Sequence, residues 1–395
     1  MSLYVTPRST QQGMAAVLLS CVLPILIILV APTFWPTPAY RPFEGSVVRA
    51  DAIHYSTILR DGYTYNVASR SNVAFPPGYP LLARFVRWAT GLQPTVALLI
   101  VSWTCLLGCC VLLAEYSRRG LFALDGNAWY VTVAFALFPA TLFFRMPYSE
   151  PLFLFLLLGA FTLMQRGASP LLVALSIGSA TAVRHVGVAA LPAFLIYLSA
   201  GRSWRSFFVQ AVALAPVACW GLLAYMAYLW ERFDDPMAFA QTQQHWYFVK
   251  LVGLGDRAAA LVALEPIWGY FDSSSVFFWE RTSPSSGSLF GAPLLDRATW
   301  LFGIAMGAYG WAKRWLTAGE VSLVIGLLLI PYLTRGYEMA FFSQARFTSV
   351  AFPIYLVYGR ILATLPRPVS ITVLVASGFL LAAYTARFVT GHLLI

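Results

Sequence analysis

The sequence predicts an all-α polytopic membrane protein. Three observations carry that expectation: composition, the spacing of the apolar runs and the placement of the basic residues. Hydrophobic residues fill 59% of 395 positions and charged residues 11%, whereas a soluble domain carries about 25% charged residues. Mean hydropathy is +0.71. A soluble core cannot absorb this much apolar surface. Lipid can, because a spanning helix is apolar on all sides. The 13 Trp and 20 Tyr suit the interfacial belts of such a protein.

A span needs about 20 apolar residues, somewhat fewer where other helices enclose it. Apolar runs near 13–35, 95–114, 129–144, 151–164, 170–183, 187–200, 206–230, 298–316, 320–334, 347–364 and 368–389 give a bundle of about eleven transmembrane helices. The short pair around Arg184 reads as one long helix or as a broken hairpin. The first run is too long for a signal-peptide core and has no small-residue cleavage site, so it reads as an uncleaved span that starts in the cytoplasm. Residues 36–94, with a juxtamembrane helix, and 231–300 remain as two large extracytoplasmic loops of one transmembrane domain, 1–395, with no internal repeat.

Orientation follows from Lys and Arg in short loops. With the N-terminus inside, the inner loops carry Arg118 and Arg119, Arg166, Arg202 and Arg205, Lys313 and Arg314, and Arg360 with Arg367. Every inner loop is basic, which agrees with the threading. The net charge of +10 is scattered, with no basic run and no nucleic-acid motif, so nucleic acid is excluded as a partner. An anionic lipid or lipid phosphate fits the remainder. Cys21, Cys105, Cys109, Cys110 and Cys219 all lie in apolar runs and are expected as inert core thiols.

The outer segments break the positive-inside trend yet hold most of the conspicuous polar residues. A charge at the centre of a spanning helix costs about 2.5–3.5 kcal/mol on insertion scales, so a group of them at one face asks for a reason. In Arg49-Ala-Asp-Ala-Ile-His-Tyr55, helical spacing puts Asp51, Tyr55 and Ile58 on one face with His54 at its edge, and Gly62 ends the helix. Asp51 is then either an ordinary cap or a general base facing a lipid-borne substrate. Ala74-Phe-Pro-Pro-Gly-Tyr-Pro80 bars a regular helix and reads as a rigid turn.

Three further segments repeat the choice between structure and chemistry. In Pro147-Tyr-Ser-Glu-Pro151, Ser149 suits a helix cap and Glu150 the positive helix end; alternatively Glu150 is a second carboxylate at the outer mouth. Arg184–His185 interrupts two apolar runs, where a guanidinium either snorkels or offers forked donors to a phosphate. Arg335 and Arg346 flank a short outer segment in which Glu338 is a candidate salt-bridge partner. Asp234-Asp235-Pro236 reads as a solvated turn more readily than a metal site, so no metal is expected. No Walker loop, zinc spacing, Gly-x-Ser-x-Gly or nucleotide-sugar signature is present. That fits a reaction with no cofactor, whose donor is already activated and already in the membrane.

In this order, the motifs resemble the PIG-V-like mannosyltransferases, the GPI mannosyltransferase 2 family with its prokaryotic relatives. The match rests on Arg49-Ala-Asp-Ala-Ile-His-Tyr with Gly62-Tyr63 and Ala74-Phe-Pro-Pro-Gly-Tyr-Pro, on Ser149-Glu150-Pro-Leu-Phe, and on Ala180-Thr-Ala-Val-Arg-His-Val-Gly. Gln344-Ala-Arg-Phe with Phe352-Pro353 fits the family's late outer loop. The resemblance implies a GT-C-like bundle and a polyprenyl-phosphate sugar donor, most simply of mannose, with a lipid or glycan acceptor. It implies Asp51 as the catalytic carboxylate. It also implies that the outer arginines Arg184, Arg335 and Arg346, beside His185, face the lipid phosphate, with His54 and Glu150 orienting the acceptor. A single in-line displacement would invert the anomeric centre. The site is expected outside the cytoplasm, at a bacterial plasma (inner) membrane or, in a eukaryote, the ER membrane. Ala50 stands where the family often has Trp, which leaves the sugar and acceptor open. The competing class is a lipid-linked saccharide transporter or flippase, which would carry charges at mid-membrane and paired halves.

Overall fold

The computed structural model describes residues 47–119, 128–250, 252–282 and 291–391, with Val22, Leu26 and Gly45. Most of the expected first span, Cys21, most of 36–46 and residues 283–290 lie outside the described residues. The described residues are helical, without a strand. In order they form α1 (Asp51–Asp61), α2 (Gly78–Thr90), α3 (Pro94–Ser117), α4 (Trp129–Leu137), a 3-10 turn (Pro139–Arg145), α5 (Glu150–Gln165), α6 (Pro170–Val183), a second 3-10 turn (His185–Ala190), α7 (Leu191–Ser199), α8 (Trp204–Ala218) and α9 (Trp220–Phe233). After short turns come α10 (Leu254–Val262), α11 (Ala292–Ala312), α12 (Ala318–Arg335), α13 (Gln344–Ser349), α14 (Pro353–Thr364) and α15 (Arg367–Val389).

Local chemistry sets these bounds. Pro94 and Pro170 open α3 and α6, where the missing N–H would have no helical partner. Thr317 and Glu320 form a reciprocal capping box at α12. Gly62, at φ 84°, ends α1, a conformation that glycine adopts at little cost. A Cβ on Gly221 of α9 would come within 2.4 Å of Ala182 on α6, so glycine there permits the close helix approach that membrane bundles favour.

The protein is a polytopic helical membrane protein. Among the described residues, three helices, α3, α12 and α15, are long and apolar enough to cross alone, with up to five spans if each of two bent pairs counts as one. The bent pairs are the 139–145 turn with α5, at 102°, and α8 with α9, at 52°. Sequence spacing gives about eleven, and interruptions account for much of the difference. The 129–144 run breaks at Phe138, the 187–200 run begins as a 3-10 turn and the 347–364 run breaks before Pro353. An apolar run does not record where a neighbour bends the chain.

The charges separate to two ends of the bundle. Glu115 near the end of α3 pairs with Arg119 at 2.6 Å and with Arg166 at 3.2 Å, so the basic loops after α3 and α5 meet. The 16 residues of α5 rise about 24 Å. Its other end, at Glu150, meets Arg184 and Arg346.

Candidate functional site

Ala50 precedes α1 at φ 48°, a region that L residues rarely adopt and that costs about 1–3 kcal/mol. Asp51 opens α1 but caps nothing: no side chain caps this helix. Its Oδ2 instead lies 2.7 Å from Nη2 of Arg346. Nε of Arg346 donates to Oε1 of Glu150 at 2.6 Å, and Nη1 of Arg184 reaches the same oxygen at 2.7 Å. Two carboxylates and two guanidiniums therefore alternate in one chain, Asp51–Arg346–Glu150–Arg184. Their charges cancel, as a buried ionic group requires. The guanidinium of Arg346 also lies 4.6 Å from the centre of the Tyr148 ring, a cation–π contact.

Ser149 does not cap α5. Its Oγ accepts from the Tyr55 hydroxyl at 2.8 Å and from Nη1 of Arg184 at 3.2 Å, which ties α1 to the 184 break. Arg184 itself leaves the helical region, with φ −149° and ψ 131°. Helix α2 backs this break, because Gly78 sits where a Cβ would come within 2.8 Å of the Ala182 carbonyl.

A cavity of about 480 Å³ lies against the network. Arg184, His185, Arg335, Tyr55, Gln243 and Tyr247 give it polar groups, while Val186, Val188, Leu222, Ile330 and Pro331 give it apolar wall. Ile330 and Pro331 lie about one turn deeper along α12 than Arg335. Arg335 has no carboxylate within ion-pair distance among the described residues, and its guanidinium rests 5.9 Å from the Phe347 ring centre. The His185 ring stacks on Phe239 at 4.3 Å, with Nε2 buried and without a hydrogen-bond partner among the described residues.

The other sequence-derived candidates lie around this cavity rather than in its wall. Asp51 keeps 27% of its side-chain surface exposed, whereas Glu150 has none. Burial pushes the Asp51 carboxyl up, but the guanidiniums of Arg346 and Arg184, helped by His54, outweigh it and hold its pKa below 3.8. His54 stacks on Phe75 at 4.6 Å and meets Trp246 edge-on at 5.8 Å. Burial lowers its pKa, Asp51 opposes this and Arg70 adds to it, so the ring is neutral near pH 7.

Glu338 pairs with Arg257, not with Arg335 or Arg346. Asp235 accepts from the Met237 N–H and the Tyr65 hydroxyl, as a turn residue does. Sequence reasoning missed buried Asp296 and Arg297. Adjacent charges beside an apolar run were the available signal, the same one that singled out Arg184.

A profile of the family described as Mannosyltransferase (PIG-V) matches residues 9–228, more than half of the chain. The chain belongs to the PIG-V mannosyltransferase family. GPI alpha-1,6-mannosyltransferase 2 of Cricetulus griseus is 34% identical over 184 residues, 44% of this chain and 35% of that protein. Its counterparts in Rattus norvegicus and Mus musculus are 33% identical over 196 residues and 32% over 183, covering 47% and 44% of this chain and 37% and 34% of theirs. The alignments thus span about a third of the length of these relatives. The PIG-V match includes Asp51, Glu150, Arg184 and His185 and stops before Arg335 and Arg346.

Proposed function

We propose that the protein transfers mannose from a polyprenyl-phosphate donor to a glycolipid or glycan acceptor at the extracytoplasmic face of the membrane. The carrying observation is the charge-balanced chain from Asp51 to Arg184 beside a cavity that Arg335 enters without a carboxylate partner. A phosphate supplies the missing negative charge, and forked guanidinium donors suit it. The deeper apolar wall suits the prenyl chain. The GPI named for the relatives is a glycolipid, which favours that class of acceptor.

In this reading the acceptor oxygen attacks the anomeric carbon while the bond from that carbon to the phosphate oxygen breaks. Asp51 takes the acceptor proton. Arg335, Arg184 and His185 face the departing lipid phosphate. One in-line displacement inverts the centre, so an α product such as the relatives' name specifies requires a β-linked donor. The ion pair with Arg346 keeps Asp51 ionised at the cost of basicity. A phosphate bound at Arg184 and Arg335 adds negative charge beside Asp51 and returns basicity as the reaction begins.

Two tests address this reading. Arg335→Ala is expected to weaken donor binding by about 10-fold or more, the loss of one hydrogen bond to a charged group, with thermal stability near that of the parent. Unchanged binding of polyprenyl-phosphate mannose would remove Arg335 from the phosphate site. For sidedness, cysteine at exposed Ser69 should react with an impermeant thiol reagent on intact cells and cysteine at exposed Ser203 should not. The reverse pattern would put the site in the cytoplasm.

A further inference from the structure

Arg346 is delivered to Asp51 and Glu150 by α13, a helix of six residues entered through an unusual loop. Ala340, Phe341 and Ser343 all have positive φ, at 48°, 67° and 67°. Each such residue costs about 1–3 kcal/mol and persists only where the surroundings over-determine it. The Ser343 side chain caps nothing, so the first N–H groups of α13 need partners from elsewhere.

They find them on α11. Asp296 Oδ1 accepts from the Ala345 N–H at 2.7 Å, and its Oδ2 accepts from the Ser343 N–H at 3.1 Å. Arg297 grips the other side of the loop. Its Nη2 donates to the carbonyls of Ala340 at 3.3 Å and Pro266 at 2.7 Å, and its Nε to Ile267 at 3.3 Å. The guanidinium lies 4.2 Å from the Tyr270 ring centre and 5.3 Å from that of Phe341. Both side chains are almost wholly buried. Such charges are expensive near a membrane core. Asp296 spends both oxygens on the loop that leads to Arg346, and Arg297 ties that loop to the 266–270 segment and to Pro293 of its own helix.

We infer that Asp296 and Arg297 are positioning residues for the transfer reaction, holding the 340–345 loop in its strained path so that Arg346 aligns the Asp51 carboxylate. This rests on the reading of Asp51 and Arg346 as the reacting site. Neither residue lines the cavity, and the effect on transfer assigned to them passes through Arg346. Asn at position 296 keeps one acceptor oxygen and turns an NH2 group towards the second N–H, which loosens the cap at constant volume. Gly at position 343 relieves the strain of its positive φ while letting the loop wander.

The test is a double-mutant cycle read by mannose transfer from polyprenyl-phosphate mannose to a membrane-lipid extract. Asp296→Asn is expected to lower kcat about 10-fold or more, since misplacement by about 1 Å can cost two orders of magnitude, with donor KM within about 2-fold. Added to Arg346→Ala it should cost less than about 2-fold further, because its partner is gone. Ser343→Gly should lower kcat several-fold while melting no lower than the parent, and it carries the test should Asp296→Asn fail to fold. Parent-like kcat in either folded variant, or an undiminished further loss on the Arg346→Ala background, overturns the inference. If Asp51→Asn abolishes transfer while these variants stay normal, only the positioning role fails. If Asp51→Asn itself transfers normally, the site reading fails with it.

Discussion

Asp51→Asn is expected to fold and to lose mannose transfer by at least about a hundredfold, since general bases contribute about 10²–10⁴-fold. Asn caps helices as well as Asp does, but Asp51 makes no cap that the change could preserve or destroy. What changes is charge. The amide oxygen can still accept from Arg346, and Arg346 keeps its bond to Glu150, so stability should fall by only about 1–2 kcal/mol. The amide takes up no proton. In the parent, the Asp51 pKa lies below 3.8, so the stability that its ion pair contributes is full above pH 3.8 and is lost as pH falls through the lower folded value. The acid limb of kcat/KM due to Asp51, which reports the free protein, should likewise lie below pH 3.8, and the variant should lack both effects. Transfer within a few-fold of the parent would show that the carboxylate is not the base.

Glu150→Ala should have the larger effect on the fold. If Glu150 served only as a first-turn acid on α5, its removal would cost about 0.3–1 kcal/mol. In the structure it is wholly buried, and one oxygen holds both Arg184 and Arg346. Removing it leaves Arg184 without its carboxylate, an uncompensated buried charge that costs about 3–5 kcal/mol. Thermal unfolding in detergent should therefore show a drop of many degrees or no folded protein, with Glu150→Gln intermediate because it keeps an acceptor. A loss of 1 kcal/mol or less would return Glu150 to the capping role.

Local patterns in the sequence carried the parts of the site that depend on neighbours in the chain. Helical spacing and Gly62 framed α1, and the cost of a charge among apolar residues marked Arg184. Long-range choices were not legible. Ser149 and Glu150 have a complete local explanation at the start of α5, yet Tyr55 and Arg184 claim the hydroxyl and two arginines claim the carboxylate. Glu338 lies close to Arg335 in sequence but pairs with Arg257. Asp296 acts on backbone N–H groups of Ser343 and Ala345, which no side-chain pattern announces. Hydropathy registers apolar length and not breaks, so the 102° turn before α5 and the 52° bend after α8 leave no mark in an apolar run.

In the proposed reaction this bundle breaks the bond between a sugar and a lipid phosphate. The direct measurement supplies purified protein in lipid vesicles with polyprenyl-phosphate mannose, radiolabelled in the sugar, and a cell-lipid extract, then separates donor from products. The expected result is label on a new lipid or glycan with inverted anomeric configuration and release of free polyprenyl phosphate. Intact donor crossing the bilayer with its label still attached, and no new product, would contradict it and mark the protein as a transporter.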